Sequence, residues 1–414
     1  MIRSGSSTTD RSRFLDALFP LGGRHAWIGT SPPFLAETLN VQHAPNYRMS
    51  SMLHGVFDSV WHVETPLSAV SGAAFEIIVD EMIRLLGAQG RLVFRFRETE
   101  DLSVINLKQL IGRRLNVFVR VNAEWTIDGE YTIDFAVERQ RLPEASDRRW
   151  TFAVITQGSK RDMVVRFLES IRSADPGREH EILVWGPLDP AYAPFGVQGT
   201  NRVYRDDVAE ISRKKNDIAD AATHPNLLIA HDRYALNDDF FSGFDAFGYD
   251  FDLCAIAQRY EDGTPFPAYC ALPGHNLVRT STVIECTDDK ALWPLQYVNG
   301  GLLVAKTHTL RQIRFNDILF WCQAEDVELA RQFRERGLPP RVNRFSSATT
   351  YGIDRHWYSG LHFTLDKKYA APRQAAGFVP PRFRRRVVDV IGRELRRASR
   401  KLVGCFMGSE QDGG

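Results

Sequence analysis

Apolar and polar positions follow helical and extended periods by turns along this chain, and the resulting elements form two runs separated by a charged stretch. In the first run, His25-Ala26-Trp27-Ile28-Gly29-Thr30 reads as a strand entering a turn, and Val56 to Trp61 as a second strand. Phe75, Ile78, Met82 and Leu86 then recur at helical spacing over Ala73 to Leu86, and Gly87 ends that helix. A strand over Arg91 to Phe96 and a helix around Leu107 to Leu115 follow. Two long strands, Val117 to Trp125 and Tyr131 to Glu138, are joined by Asp128-Gly129, a hairpin signal. Arg139 to Arg149, charged and carrying Pro143, reads as a linker.

The second run opens with the apolar strand Thr151 to Ile155, the turn Thr156-Gln157-Gly158-Ser159-Lys160 and a helix with Met163, Val164, Phe167, Leu168 and Ile171 on one face. The strand Glu181 to Gly186 completes a βαβ unit. Ligands of such sheets sit at the carboxyl ends of the strands, which points Thr156, Gln157 and Gly158 at a nucleotide. Ile211 to Asn216 leads into a helical stretch, and the buried strand Leu227 to Ala230 delivers His231-Asp232-Arg233. Asn299-Gly300-Gly301 lets the backbone pass close to a ligand before the strand Leu302 to Val304. Glu325 and Asp326 follow Phe320 and Trp321 and open a helix whose apolar face is Val327, Ala330 and Phe333.

Composition narrows the functional classes. The 414 residues, 43% hydrophobic, can bury two or three cores. The 52 basic and 51 acidic residues leave a charge of +1, which excludes a bulk electrostatic nucleic-acid binder. Basic character is local, in Arg382 to Leu402, where Val387, Val388, Ile391, Leu395 and Leu402 interleave with arginines. That segment suits a helix lying on an anionic membrane surface, a helix packed on the body, or an RNA-contacting arm. Five scattered cysteines without a CxxC pair argue against a disulfide framework and a structural zinc site, so a reducing cytoplasm is expected. The opening MIRSGSSTTDRSRF lacks the apolar core of a signal peptide, and no apolar run reaches the roughly 18 residues of a membrane span. The expectation is a soluble or peripheral protein.

Two carboxylate positions carry candidate chemistry. Held at a helix N-terminus, the Glu325-Asp326 pair either accepts a proton from an attacking hydroxyl or simply caps the helix. Asp232, at a strand end, either offers a hard oxygen to a divalent cation or forms a salt bridge with Arg233.

The Gly-Gly strand, the aromatic pair and the acidic dyad together resemble the acceptor side of inverting glycosyltransferases with the GT-A fold, including the galactosyltransferase and N-acetylgalactosaminyltransferase branches. The resemblance implies that Asp326 is the catalytic base, assisted by Glu325, and that Asp232 stands at the Asp-x-Asp position. Here that motif reads His-Asp-Arg, with one acid missing, so Arg233 supplies positive charge instead. It further implies a nucleotide or phosphate contact from Lys215 and Asn216, close backbone approach at Gly300 and Gly301, and a divalent cation (Mn or Mg) held by Asp232 and His356. Phe320, Trp321 and Trp357 become candidates for stacking on acceptor sugars. The donor is then a nucleotide sugar, with UDP preferred, and the acceptor a glycan or lipid-linked chain in bacterial surface polysaccharide synthesis, on the inner face of the plasma membrane. The first run resembles, in topology, the second half of a class I methyltransferase. Trp27-Ile28-Gly29-Thr30-Ser31 stands where that family carries a glycine-rich cofactor loop, and no ribose-binding acid is identifiable.

The fold expected is therefore α/β: a GT-A (Rossmann-like) nucleotide-sugar-binding domain over 150–370, preceded by a smaller truncated Rossmann-like α/β domain over 1–145 that is catalytically silent. Residues 371–414 form a basic tail. Two other readings stay open, a non-catalytic glycosyltransferase-like scaffold and a methyltransferase fused to a glycosyltransferase.

Overall fold

A computed structural model describes residues 2–4, 18–19, 22–140, 146–205, 209–276, 279–285, 290–320 and 323–353, all within one compact unit, Met1–Leu365. The basic tail, His356 and the aromatic candidates Trp321 and Trp357 lie outside these residues.

The first run forms a seven-stranded sheet from β1 (Ile2–Ser4), β2 (His25–Ile28), β3 (Glu37–Leu39), β4 (Phe57–His62), β5 (Leu86–Arg97), β6 (Val117–Ile127) and β7 (Glu130–Arg139). Its spatial order is β1-β6-β7-β5-β4-β2-β3. The strands β3, β2, β4 and β5 are parallel, and β7 is antiparallel to both β5 and β6. Asp128 (φ 49°) and Gly129 (φ 74°) both take the left-handed conformation that a two-residue hairpin turn requires. Helix α1 (Phe75–Leu85) and helix α2 (Val104–Gly112) complete this part. Ser103 caps α2, its hydroxyl accepting from Asn106 N at 3.1 Å.

The second run builds an eight-stranded sheet from β8 (Trp150–Ile155), β9 (Glu181–Trp185), β10 (Gln198–Gly199), β11 (Asn226–His231), β12 (Tyr234–Leu236), β13 (Leu253–Tyr260) and, after the separate hairpin β14 (Tyr269–Asn276) and β15 (Arg279–Glu285), β16 (Leu302–Lys306) and β17 (Arg341–Thr350). The order is β10-β9-β8-β11-β16-β13-β17-β12, with β9, β8 and β11 parallel and β16 antiparallel to β11. Strand β8 is buried along its whole length, so it reads as an unbroken apolar run. Helix α3 (Arg161–Ala174) buries Val164, Phe167, Leu168 and Ile171, four positions of one face. Helix α4 (Ile211–Ala221), helix α5 (Asp239–Phe247), helix α6 (Thr307–Gln312) and helix α7 (Glu325–Glu335) follow.

A buried ionic seam joins the two sheets. All eleven residues of α1 are buried, including Asp80, Glu81 and Arg84. Asp80 accepts from Arg84 at 2.9 Å and from Arg114 and Arg341 at 2.6 Å. Glu81 accepts from Arg48 (3.2 Å), His54 (2.9 Å) and Arg341 (3.0 Å), while Arg84 reaches Asp250 and Asp252 across the seam at 2.6 and 2.7 Å. Burial pushes the Asp80 and Glu81 carboxyls up, but the surrounding guanidinium groups outweigh it and hold both far below the usual range.

Two expectations change here. Arg139 is not linker: it ends β7, is buried, and donates to Arg84 O at 2.8 Å and to Asp250 at 2.6 Å, so the seam uses a charge that composition assigned to solvent. Cys270 is disulfide-bonded, contrary to the argument from cysteine spacing, because pairing follows three-dimensional proximity that linear spacing does not report. The cysteine argument for a reducing compartment falls with it. No helix among the described residues is long and apolar enough to cross a membrane.

Candidate active site

Register brings the site together. Ile155 pairs with His231 and Ala230 with Leu302, so the carboxyl ends of β8 and β11 meet the start of β16, and the first polar residues beyond each strand share one sheet edge. Thr156 is buried; its hydroxyl donates to Asp232 Oδ2 at 2.8 Å and accepts the Gly158 N–H at 3.0 Å. Gln157 and Gly158 stand exposed in the same turn. Lys160, half-exposed at the start of α3, brings its Nζ to 3.8 Å from Asp232 Oδ1.

The Gly-Gly segment is needed for proximity. A Cβ on Gly301 would fall 2.5 Å from Arg233 Nη2, so glycine admits the guanidinium against the backbone. A Cβ on Gly300 would fall 2.8 Å from Glu325 Oε1, 3.1 Å from Asp326 Oδ2 and 3.2 Å from Lys215 Nζ. Asn299 Oδ1 accepts the Gly301 N–H, and the Gly300 N–H donates to Asp326 Oδ2, each at 2.9 Å. The Val327 N–H donates to Asp326 Oδ1 at 2.9 Å, so backbone amides orient both carboxylate oxygens. Ala324, immediately before the dyad, is left-handed (φ 58°, ψ 41°), a conformation that costs a non-glycine residue about 1 kcal/mol.

The expected residues divide. Thr156, Gln157, Gly158, Asp232, Arg233, Gly300, Gly301 and Asp326 gather around the sheet edge. Glu325 and Lys215 also converge, but on each other: Lys215 Nζ lies 3.0 Å from Glu325 Oε1 and both are buried. Glu325 is thereby committed to a counter-ion, which weakens its assignment as a second proton acceptor, and Lys215 does not face solvent as a phosphate contact. Asn216 is a correction. Its amide nitrogen donates to Phe315 O at 2.9 Å and to Asp317 Oδ1 at 2.5 Å, and its oxygen accepts Phe315 N–H at 2.9 Å, so it fastens the 315–317 loop and has no amide hydrogen left to donate to a nucleotide. Both residues lie inside α4, where the sequence suggested they led into it.

Sequence reading did not single out Lys160, although its place at the end of the glycine turn and at a helix start was a usable signal for its position beside Asp232. The Lys215–Glu325 pair spans 110 positions and gave none.

Cations dominate around Asp232. Burial and then the fields of Lys215, Arg233, Lys160 and Lys214 push the His231 imidazole well below its ordinary value, so it is neutral. Its Nε2 finds no hydrogen-bond partner among the described residues. A divalent ion here would meet a single described carboxylate, already accepting from Thr156 and close to an ammonium. Among the described residues no group of three His, Cys, Asp or Glu side chains gathers here, and His356, the second ligand expected beside Asp232, lies outside them.

In the first sheet, the turn after β2 is closed from within. Glu64, just beyond β4, accepts from Trp27 Nε1 (2.6 Å), from the Thr30 N–H, the Thr30 hydroxyl and the Ser31 N–H (2.8 Å each). The bond from Trp27 and those backbone amides hold its carboxyl down at about 2. The donors with which such a turn would meet a ligand are taken.

No family model matches this chain, and no curated protein matches it in sequence. Among solved structures it is similar to S. aureus TarS 1–349 (13% identity, TM-score 0.34, 49% of this chain and 60% of that one). It is also similar to the mannosyltransferase PcManGT from Pyrobaculum calidifontis, in complex with GDP-Man and Mn2+ (16% identity, TM-score 0.37, 53% and 63%). A third is GalNAc-T7 with UDP, GalNAc and Mn2+ (10% identity, TM-score 0.37, 50% and 45%). In each case the match spans less than two thirds of the other chain. Likenesses this partial say nothing of catalysis, and the functional reading rests on the site's own geometry.

Proposed function

We propose that this chain is a glycosyltransferase that moves a sugar from a nucleotide sugar to an acceptor hydroxyl by single displacement. The observation that carries the reading is the meeting, at the carboxyl edge of the parallel strands of a mixed α/β sheet, of an amide-oriented carboxylate (Asp326), a close-approach Gly-Gly segment and the Thr156–Asp232–Lys160 cluster. Asp326 takes the proton of the acceptor hydroxyl, whose oxygen attacks the anomeric carbon from the face opposite the leaving diphosphate, and configuration inverts. The nucleotide lies over the Thr156–Gly158 turn. A UDP-sugar donor and a glycan or lipid-linked acceptor of surface polysaccharide synthesis fit this reading, with the basic tail as the membrane contact. The first sheet serves as a silent methyltransferase-like domain; parallel strands closed by an antiparallel hairpin and the turn saturated by Glu64 support that role.

The test is release of nucleoside diphosphate from a panel of UDP- and GDP-sugars, with and without oligosaccharide acceptors. Wild type turns over at least one donor, and Asp326→Asn loses roughly 100-fold or more in rate while nucleotide affinity holds within a few-fold. Failure to bind or turn over any donor overturns the proposal. It would favour the scaffold reading, which draws support from the commitment of Glu325 and Asn216 to internal partners.

A further inference from the structure

The missing second acid of the strand-end motif and the charges around it lead to one step beyond the proposed reaction, and it rests on that proposal. A leaving nucleoside diphosphate gathers negative charge on its bridging oxygen as the bond to the anomeric carbon breaks, and something must neutralise it. Among the described residues Asp232 is the one carboxylate at the strand end, and its oxygens face the Thr156 hydroxyl at 2.8 Å and the Lys160 ammonium at 3.8 Å. The next residue, Arg233, lies against the ring of Tyr234 (5.4 Å) and over the bare backbone of Gly301, where a Cβ would come within 2.5 Å of Nη2. Two cations therefore flank the edge at which the diphosphate binds, one of them a planar fork suited to paired phosphate oxygens. Behind them, Lys215 is neutralised by Glu325, so the positive charge offered to the ligand comes from Arg233 and Lys160.

We propose that Arg233 and Lys160 bind the donor diphosphate directly, with Asp232 as the positioning residue that anchors Lys160, and that donor binding does not require a divalent cation. In the transfer step the acceptor oxygen bonds to the anomeric carbon and its proton passes to Asp326. The anomeric carbon–oxygen bond to phosphate breaks, and its electron pair stays on the diphosphate, where the guanidinium and ammonium offset the new charge.

Calorimetric titration of the full chain with UDP and with GDP, in excess EDTA and again in Mn2+, tests this. The expected result is binding of one nucleotide with affinities within about threefold in the two buffers, weakening as salt rises. Lys160→Ala, a change at a half-exposed side chain that leaves the fold intact, and Arg233→Ala each weaken it about tenfold or more. Arg233→Lys keeps the charge, loses the fork, and gives an intermediate loss. Binding only with Mn2+ overturns this inference and leaves the glycosyltransferase reading standing. Metal-free binding indifferent to both alanine variants overturns the assignment of the two residues. No binding of either nucleotide in either buffer overturns the inference and counts against the reading beneath it.

Discussion

Replacing Asp80 by Asn keeps the shape of the side chain and removes the charge at the centre of the seam, so it isolates the electrostatic part of the joint between the two sheets. Among the described residues five arginines (Arg48, Arg84, Arg114, Arg139 and Arg341) face four carboxylates (Asp80, Glu81, Asp250 and Asp252). Asp80 serves three of those arginines within 2.9 Å, and its side chain is 1% exposed, so water cannot take over its role. Breaking one side of a buried ion pair costs about 3–5 kcal/mol, and a shared carboxylate belongs at the upper end. For a chain of this size the melting temperature falls by roughly 10 °C. Urea unfolding followed by tryptophan fluorescence reads the loss without the ionic screening that guanidinium chloride would add. A folded-state carboxyl held below its unfolded value contributes stability that is complete above the unfolded value of about 4 and drains as pH falls below it. Wild type therefore loses stability in acid, and Asp80→Asn flattens that loss. A penalty under about 1 kcal/mol, the range of exposed pairs, refutes the reasoning.

Three further outcomes are expected. Gly300→Ala wedges a methyl between Glu325, Asp326 and Lys215 and abolishes transfer while costing about 1–3 kcal/mol in stability; unchanged activity in the donor panel would contradict the close-approach role. His62 is fully buried, and burial lowers its imidazole to about 4, so stability falls as pH drops from 6.5 toward 4 and levels off beneath. In His62→Phe that part of the pH profile, about 3 kcal/mol at most, disappears from urea midpoints measured across the range. Glu64→Ala leaves the Trp27, Thr30 and Ser31 donors to water and lowers the melting temperature of the first sheet, and calorimetry with S-adenosylmethionine shows no binding in wild type.

Where a residue's role depends on its near neighbours in sequence, it was legible. The face of α3 and the Asp128-Gly129 turn came directly from period and local conformation, as did the strand ends that set Asp232 and Gly301 side by side. The seam was not legible, because amphipathic patterning assigns Asp80, Glu81 and Arg84 to the solvent face of α1, and only the second sheet, arriving from residues 250 and 341, turns that face inward. The same limit hid the partners of Lys215 and Asn216. A side chain's chemistry suggests what it can hold, but which of several suitors reaches it is decided by contacts about a hundred positions away.

Glu64 gives the first sheet an unusual independence. A turn that elsewhere waits for a visitor here carries its own permanent tenant, supplied by the neighbouring strand. The donors of that turn are never left empty, so the turn itself has no unliganded form to be destabilised. The turn keeps one shape by its own contacts, which suits a wall on which the other sheet is mounted. Yet the tenant hangs on one carboxylate, so a single substitution reopens the donors and returns the turn to the pool of surfaces on which a new binding activity can be selected.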